Sequence, residues 1–342
     1  MPLTIEQIRD QLSNVLFHMP YAQWVTGVAI GEALEDAPTT PEILVFVQAV
    51  CDSDLQPVRD LLAFAQTPAQ LGPFPFSILR TGLFEGLQAQ TGDSLGLRAP
   101  SQFNLPLVSG GTFGCVVRNG NARYALTSNH VIAHNGRAPL GTAIVSPSTV
   151  DAVAGGVVGL LTDFVPLQPM GWPAPVLPSQ PPALGIATVA SIPKNTVDCA
   201  LARIVPAAGI QAATPVNVFP GSPIRQAVQK TGRTTGTTRG VITIRACDAC
   251  IDFSFGTFIF QDLVGVIDAK AFAAPGDSGS LAIRQNAPNE GIGVLTARGY
   301  STDARGRWIG YIVLMCGLQA VRGQLATAMG IAPATNLTFF RD

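Results

Sequence analysis

The 342-residue sequence predicts a mainly β protein preceded by a small α/β unit. Two observations carry this expectation. From about Leu97 onward, short runs of apolar and β-branched residues recur between turn formers, with no helical periodicity between them. Ahead of that point the texture differs. Ile5, Ile8, Leu12, Val15 and Leu16 fall on one helical stripe, and residues 55–66 repeat the helical pattern. The composition, with 35 Gly, 27 Pro and 13% charged residues, fits many short strands joined by turns but suits a loop-rich α/β protein equally, so it decides little.

In chain order, residues 4–17 form the first expected helix. Two apolar runs, 24–30 and 42–50, read as a pair of strands, and a helix over 55–66 completes an α/β unit assigned to residues 1–95. The region 96–342 then carries strand-like runs at 110–117, 123–127 and 197–204. More follow at 240–244, 257–260, 264–267, 281–283, 293–296 and 308–313. Such a series implies barrels or a sandwich. Seven prolines between Val165 and Ala183 mark a surface excursion, and a Pro/Gly/Ala-rich stretch at 206–223 joins two β-units. Residues 318–329 are expected to be helical.

The net charge is −1 and no Lys/Arg block is present, so nucleic acid is not an expected partner. The first ten residues lack a basic segment leading into an apolar run, and no apolar stretch reaches the roughly 20 residues of a bilayer span. A cytoplasmic protein without a membrane partner is the expectation. Six cysteines, at 51, 115, 199, 247, 250 and 316, show no scaffold-like rhythm. Cys247 and Cys250 have metal-ligand or redox spacing, but no second Cys-x-x-Cys or His pair completes a zinc site. Buried or turn cysteines are the simpler reading, and neither metal nor cofactor is expected.

Three local patterns carry chemistry. Pro275-Gly276-Asp277-Ser278-Gly279-Ser280 precedes an apolar run, and glycines beside a serine permit the tight backbone that a nucleophile with convergent N–H groups needs. Ala125-Leu-Thr-Ser-Asn-His130-Val places an imidazole at a strand end; the other histidines are His18 and His134. Asn195-Thr-Val-Asp198 leads into another apolar run and supplies a carboxylate able to fix an imidazole tautomer, which Asp151 and Asp163 do less well. Each pattern alone also suits an ordinary turn or cap. Their order, His then Asp then Ser at intervals of 68 and 80 residues, distinguishes one known arrangement from others.

Taken together, Thr127-Ser-Asn-His130-Val, Val197-Asp198-Cys-Ala-Leu and Gly276-Asp277-Ser278-Gly279 resemble the three motifs of trypsin-like (chymotrypsin-fold) serine peptidases. Lys230-Thr-Gly-Arg-Thr-Thr-Gly236 resembles the strand and turn opening the second barrel in bacterial members such as streptogrisins. Val25-Thr-Gly-Val-Ala-Ile-Gly31 and Ile43-Leu-Val-Phe-Val47 resemble the segment preceding the barrels in the plant narrow-leaf serine proteases and their bacterial relatives. The resemblance implies two six-stranded antiparallel β-barrels, at about 105–205 and 224–315, with the site between them. It implies a serine endopeptidase acting on protein or peptide substrates through His130, Asp198 and Ser278. The oxyanion hole would come from the N–H groups of Gly276 and Ser278, with Asp277 structural.

The sequence also departs from that family. No activation site precedes the barrels, and Val131 stands where secreted trypsins carry a disulfide cysteine. The resemblance assigns Phe272, Thr296 and Arg298 to the specificity pocket. An apolar Phe272 disfavours Arg/Lys preference, while Arg298 either narrows the pocket or attracts an acidic side chain. A catalytically silent scaffold on the same fold is the alternative reading, and the N-terminal unit leaves room for self-assembly or substrate recruitment.

Overall fold

The computed structural model describes residues 4–18, 21, 24–32, 41–48, 55–65, 74–81, 84–86, 94–98, 110–151, 155–170, 192–210, 212–221, 224–268, 272–302 and 307–341. It is mainly β. Cys51 and most of the proline-rich stretch lie outside the described residues. Among those described, no helix is long and apolar enough to cross a membrane.

The N-terminal helix, Ile5–Leu16, starts at a capping box in which Thr4 and Gln7 exchange side-chain and backbone hydrogen bonds. Its apolar stripe packs on strands Val25–Glu32 and Pro41–Val47, which pair antiparallel. Pro41–Val47 pairs parallel with Phe76–Thr81, a connection long enough to need a crossover, and helix Gln56–Ala65 lies within it. Cys250 and Ile259 from the later chain join this core. A buried charge cluster fixes the first helix there: Asp248 accepts from Arg9 Nη1 (2.7 Å), Ser13 Oγ (2.5 Å) and Lys194 Nζ (2.8 Å). Two cations and a hydroxyl on one buried carboxylate offset its desolvation.

Downstream, strand pairing follows two series. In the first, Gly110–Thr112 pairs with Ser94–Leu97, which pairs with Ala143–Ser146, then Gly156–Phe164, Ala200–Ile204, Ala122–Thr127 and Cys115–Asn119. Since Cys115–Asn119 directly follows Gly110–Thr112 in the chain, the series ends on the segment where it began. Leu95, Leu97, Ala125, Val131, Ile144, Leu161 and Ala202 fill its interior.

In the second series, Ala227–Gly232 pairs with Gly236–Phe253, which pairs with Gly256–Asp268, then Trp308–Gly317, Ala287–Thr302 and Leu281–Arg284, which returns to Ala227–Gly232. Every one of these pairings is antiparallel. Val228, Ile242, Val266, Phe272, Leu295 and Val313 are buried within it. After helix Leu318–Ala328 the chain returns to the first series, where Leu337–Arg341 pairs with Cys115–Asn119. The largest core cluster joins the two series, with Leu126, Cys199 and Leu201 meeting Leu263, Val294 and Cys316.

Gly236–Phe253 and Gly256–Asp268 are longer than the sequence suggests: the expected runs at 257–260 and 264–267 belong to one strand. The cause is local. Ala246 (φ 47°) and Asp262 (φ 58°) adopt left-handed backbone, and the register shifts between Cys247 and Ala249. Such irregularities reset the two-residue alternation by which a continuous strand is recognised.

Candidate active site

The strand Ala122–Thr127 ends at Ser128, and a single helical turn, Asn129–Ile132, presents His130. Asn129 holds that turn in place: its Nδ2 donates to Val165 O (2.7 Å), and its Oδ1 accepts from Asn135 N (2.8 Å). Asp198 arrives from a segment clamped to the second series. Asn195 N and Nδ2 both donate to Ile259 O, and Gln261 N donates to Asn195 O. Asp198 is therefore positioned by a strand from the other half of the molecule.

These elements bring one imidazole between a carboxylate and a hydroxyl. His130 Nδ1 donates to Asp198 Oδ2 (2.5 Å), and the backbone N–H of His130 donates to Asp198 Oδ1 (3.0 Å). A carboxylate only accepts, so the proton of the neutral ring sits on Nδ1. Nε2 is left as an acceptor, and Ser278 Oγ lies 2.8 Å from it. His130, Asp198 and Ser278 are all buried, the last two with 0% exposure.

The loop bearing Ser278 belongs to the second series yet is held by the first. Thr112 N donates to Ser278 O (2.7 Å), and Thr112 Oγ1 donates to Gly276 O (2.9 Å). Gly279 N donates to Leu295 O, and Leu295 N to Ser280 O. Gly279 has φ 88°, and a Cβ there would stand 2.1 Å from Thr127 Oγ1 and 2.6 Å from Thr112 O. Any side chain would push the serine loop off the first series.

Asp277, next to the serine in the chain, is held by a different set of donors from Asp198. It accepts from Thr234 N (2.8 Å), Thr235 N (3.3 Å), Thr235 Oγ1 (2.6 Å), Ala274 N (3.0 Å) and Lys230 Nζ (3.0 Å). Burial alone would raise its pKa. The Thr235 hydroxyl, the Lys230 charge and the Ala274 and Thr234 amides outweigh that and hold the carboxyl below its ordinary range.

The residues assigned to a specificity pocket occupy different surroundings. Phe272 is buried among Val228, Val266 and Met315. Thr296 Oγ1 lies 3.2 Å from Cys316 Sγ, which also accepts from Asp198 N (3.4 Å). The Arg298 guanidinium sits 4.5 Å from the Tyr311 ring centroid, and its Nη1 donates to Ala273 O (3.3 Å). Arg298 thus spans from the serine loop to the Trp308–Gly317 strand.

Cys247 and Cys250 are three apart on a strand and enter different cores, with Leu263 and Ile259 respectively opposite them. Burial raises both thiol pKa values, that of Cys250 to about 12. No cluster of three metal-ligating side chains occurs among the described residues. His134 is buried beside Phe255, with ring centroids 6.0 Å apart.

Sequence reasoning missed four contributors. Phe253 stacks on His130 at 4.6 Å and 22°, from the turn end of Gly236–Phe253. Cys316 backs Asp198, Thr112 anchors Ser278, and Lys230 neutralises Asp277. Lys230 lies in a motif that resemblance had singled out, so its position carried a signal. Phe253, Cys316 and Thr112 are distant from the motifs they support and carried none.

No family model matches the chain, and no curated protein matches it. Among solved structures it is similar to Thermobifida fusca Protease A, at 18% identity and TM-score 0.39, covering 74% of this chain and 98% of that one. A Cellulomonas bogoriensis chymotrypsin gives 19% identity and TM-score 0.38, covering 76% and 100% of the two chains. Nocardiopsis protease gives 16% identity and TM-score 0.41, covering 73% and 97%.

Proposed function

We propose that the chain is a serine endopeptidase of chymotrypsin-like architecture, cutting protein or peptide substrates through an acyl-enzyme. The two strand series are read as its two six-stranded barrels, following an N-terminal α/β unit at about 1–95. Kinship with bacterial relatives of the plant narrow-leaf proteases and a cytoplasmic location belong to the same proposal.

One observation carries the reading: the unbroken series from Asp198 through His130 to Ser278, at 2.5 and 2.8 Å. In the mechanism, Ser278 Oγ attacks the substrate carbonyl carbon while its proton passes to His130 Nε2. Asp198 holds the Nδ1–H tautomer and stabilises the imidazolium that results. The carbonyl oxygen becomes an oxyanion, which the N–H groups of Gly276 and Ser278 receive. His130 then protonates the leaving amine, the C–N bond breaks, and water repeats the sequence to release the acyl group. General-base help of this kind is worth about 10²–10⁴-fold, and each oxyanion donor about 10²–10³-fold. Asp277 and Lys230 shape the loop and take no proton.

The test is hydrolysis of fluorescein-labelled casein by the full chain. Wild type cuts it and Ser278→Ala does not. Equal cutting by a folded Ser278→Ala chain rejects the assignment, and no cutting by either, with no labelling of wild type by a small fluorophosphonate, favours a silent scaffold.

A further inference from the structure

Beside Ser278 the strand Ala287–Thr302 changes partners. Up to Val294 one edge pairs with Leu281–Arg284, and Leu295 then bonds the backbone of Gly279 and Ser280. At roughly 3.3 Å per residue, Ala297 lies about two strand positions, near 7 Å, past that contact. Its far edge is paired, with Ala297 opposite Leu314 and Arg298 opposite Val313. The near edge would present open N–H and C=O groups leading toward the serine. Such an edge is where an extended polypeptide adds as a strand.

That edge is already occupied. The strand Phe84–Gly86 pairs antiparallel along it, Gly86 opposite Ala297 and Glu85 opposite Arg298, and Arg80 and Thr81 continue the cover opposite Thr302 and Ser301. On its other side Phe84–Gly86 runs parallel to Ile251 and Asp252, next to the Phe253 that stacks on His130. Three residues thus sit between the edge beside the nucleophile and the arm beside its base. Phe84 anchors them: its ring is fully buried and meets Phe46 edge-on at 5.7 Å. Gly299 admits the ring, since a Cβ there would stand 2.9 Å from Phe84 Cδ1. The 0% exposure of Ser278 accords with a closed arrangement.

Resting on the peptidase reading, we propose that Phe84–Gly86 is an internal strand occupying the peptide-docking edge of this site, and that it must give way before an extended polypeptide is cut. The chain is then latent. Substrate pays the opening cost, and its apparent affinity falls by the fraction of molecules that are open.

Two substitutions loosen the strand. Phe84→Ala removes the anchor, and Glu85→Pro removes a backbone N–H. Each is expected to raise fluorescein-casein hydrolysis about tenfold or more, as a population shift of that size allows. Labelling of Ser278 by a small fluorophosphonate, which needs the serine but no paired peptide, rises less. Unchanged or slower casein hydrolysis, with wild-type labelling and thermal unfolding, overturns the proposal. Should both variants fail to fold, hydrogen exchange in the folded Ser278→Ala chain decides. Reduced, unfolded casein, its binding followed by fluorescence anisotropy, is expected to strip protection from amides 84–86. Protection unchanged with casein bound, or no casein binding at all, overturns it. If no chain takes the probe, the peptidase reading fails separately, while the exchange result still reports whether the strand yields.

Discussion

Asp198 and Asp277 are equally inaccessible, at 0% exposure, and lie in loops 79 positions apart that meet near one serine. They differ in what donates to them. Both carboxylate oxygens of Asp198 face a single residue, His130, through its ring and its backbone N–H. Asp277 is saturated by three amides, a hydroxyl and an ammonium. Fixed amides and a paired cation lock a loop. A carboxylate directed at one imidazole orients a group that can still exchange a proton. Burial by itself therefore does not distinguish a reactive carboxylate from a structural one; the identity of the donors does.

The comparison breaks most sharply at Asp198. Asp198→Asn is expected to lower kcat by about 10⁴-fold, because the amide no longer favours the productive tautomer. Thermal unfolding should stay within a few degrees of wild type. A large loss of stability with activity retained would reverse the two roles.

Asp277→Ala is expected to do the opposite, costing about 3–5 kcal/mol in urea unfolding because Lys230 becomes a buried, unpaired charge. Replacing both partners, as Lys230→Met with Asp277→Leu, should recover only the part due to the stranded ammonium, because the amides of Thr234, Thr235 and Ala274 lose their acceptor as well. The sign of the pH effect follows from the lowered carboxyl: its stabilisation is full above the ordinary carboxylate range and disappears as pH falls through the folded value.

His134 sharpens the contrast between neighbouring histidines. Burial, with smaller contributions from His130 and Arg137, pushes it down to about 4 from 6.5. The unfolded chain binds this proton at higher pH, so stability falls between pH 6.5 and 4, by roughly 3 kcal/mol at the acid limit. Asn tolerates the left-handed backbone at this position (φ 46°), and His134→Asn should flatten the profile over that window. An unaltered profile would remove His134 from the account.

The smallest expected effect is at Phe253. Stacking of this kind is worth about 0.5–1.5 kcal/mol, so Phe253→Leu should lower kcat a few-fold, to about tenfold at most. Phe253→Tyr should restore it, and the pH profile of kcat should move with Leu and return with Tyr. A loss confined to thermal stability would make the ring mere packing.

The sequence shows the local parts of this arrangement and hides the distant ones. His130, Asp198 and Ser278 each sit at a strand end in a short motif, which made them legible and placed them in order. Phe253 and Cys316 reach the site across 123 and 118 positions, and no pattern at either one announces it. The long hairpin was read as fragments because Ala246 and Asp262 interrupt its alternation. Cys247 and Cys250 have ligand-like spacing yet read from sequence as buried or turn cysteines, and an odd separation along one strand places them in different cores. Phe84–Gly86 is too short to show any periodicity, and only its pairing reveals it.

The most direct measurement is mass-spectrometric mapping of a fluorophosphonate adduct on the full chain. The account predicts one adduct, on Ser278, formed by wild type and abolished in His130→Ala. An adduct on another residue, or undiminished labelling of Ser278 without the imidazole, would contradict it.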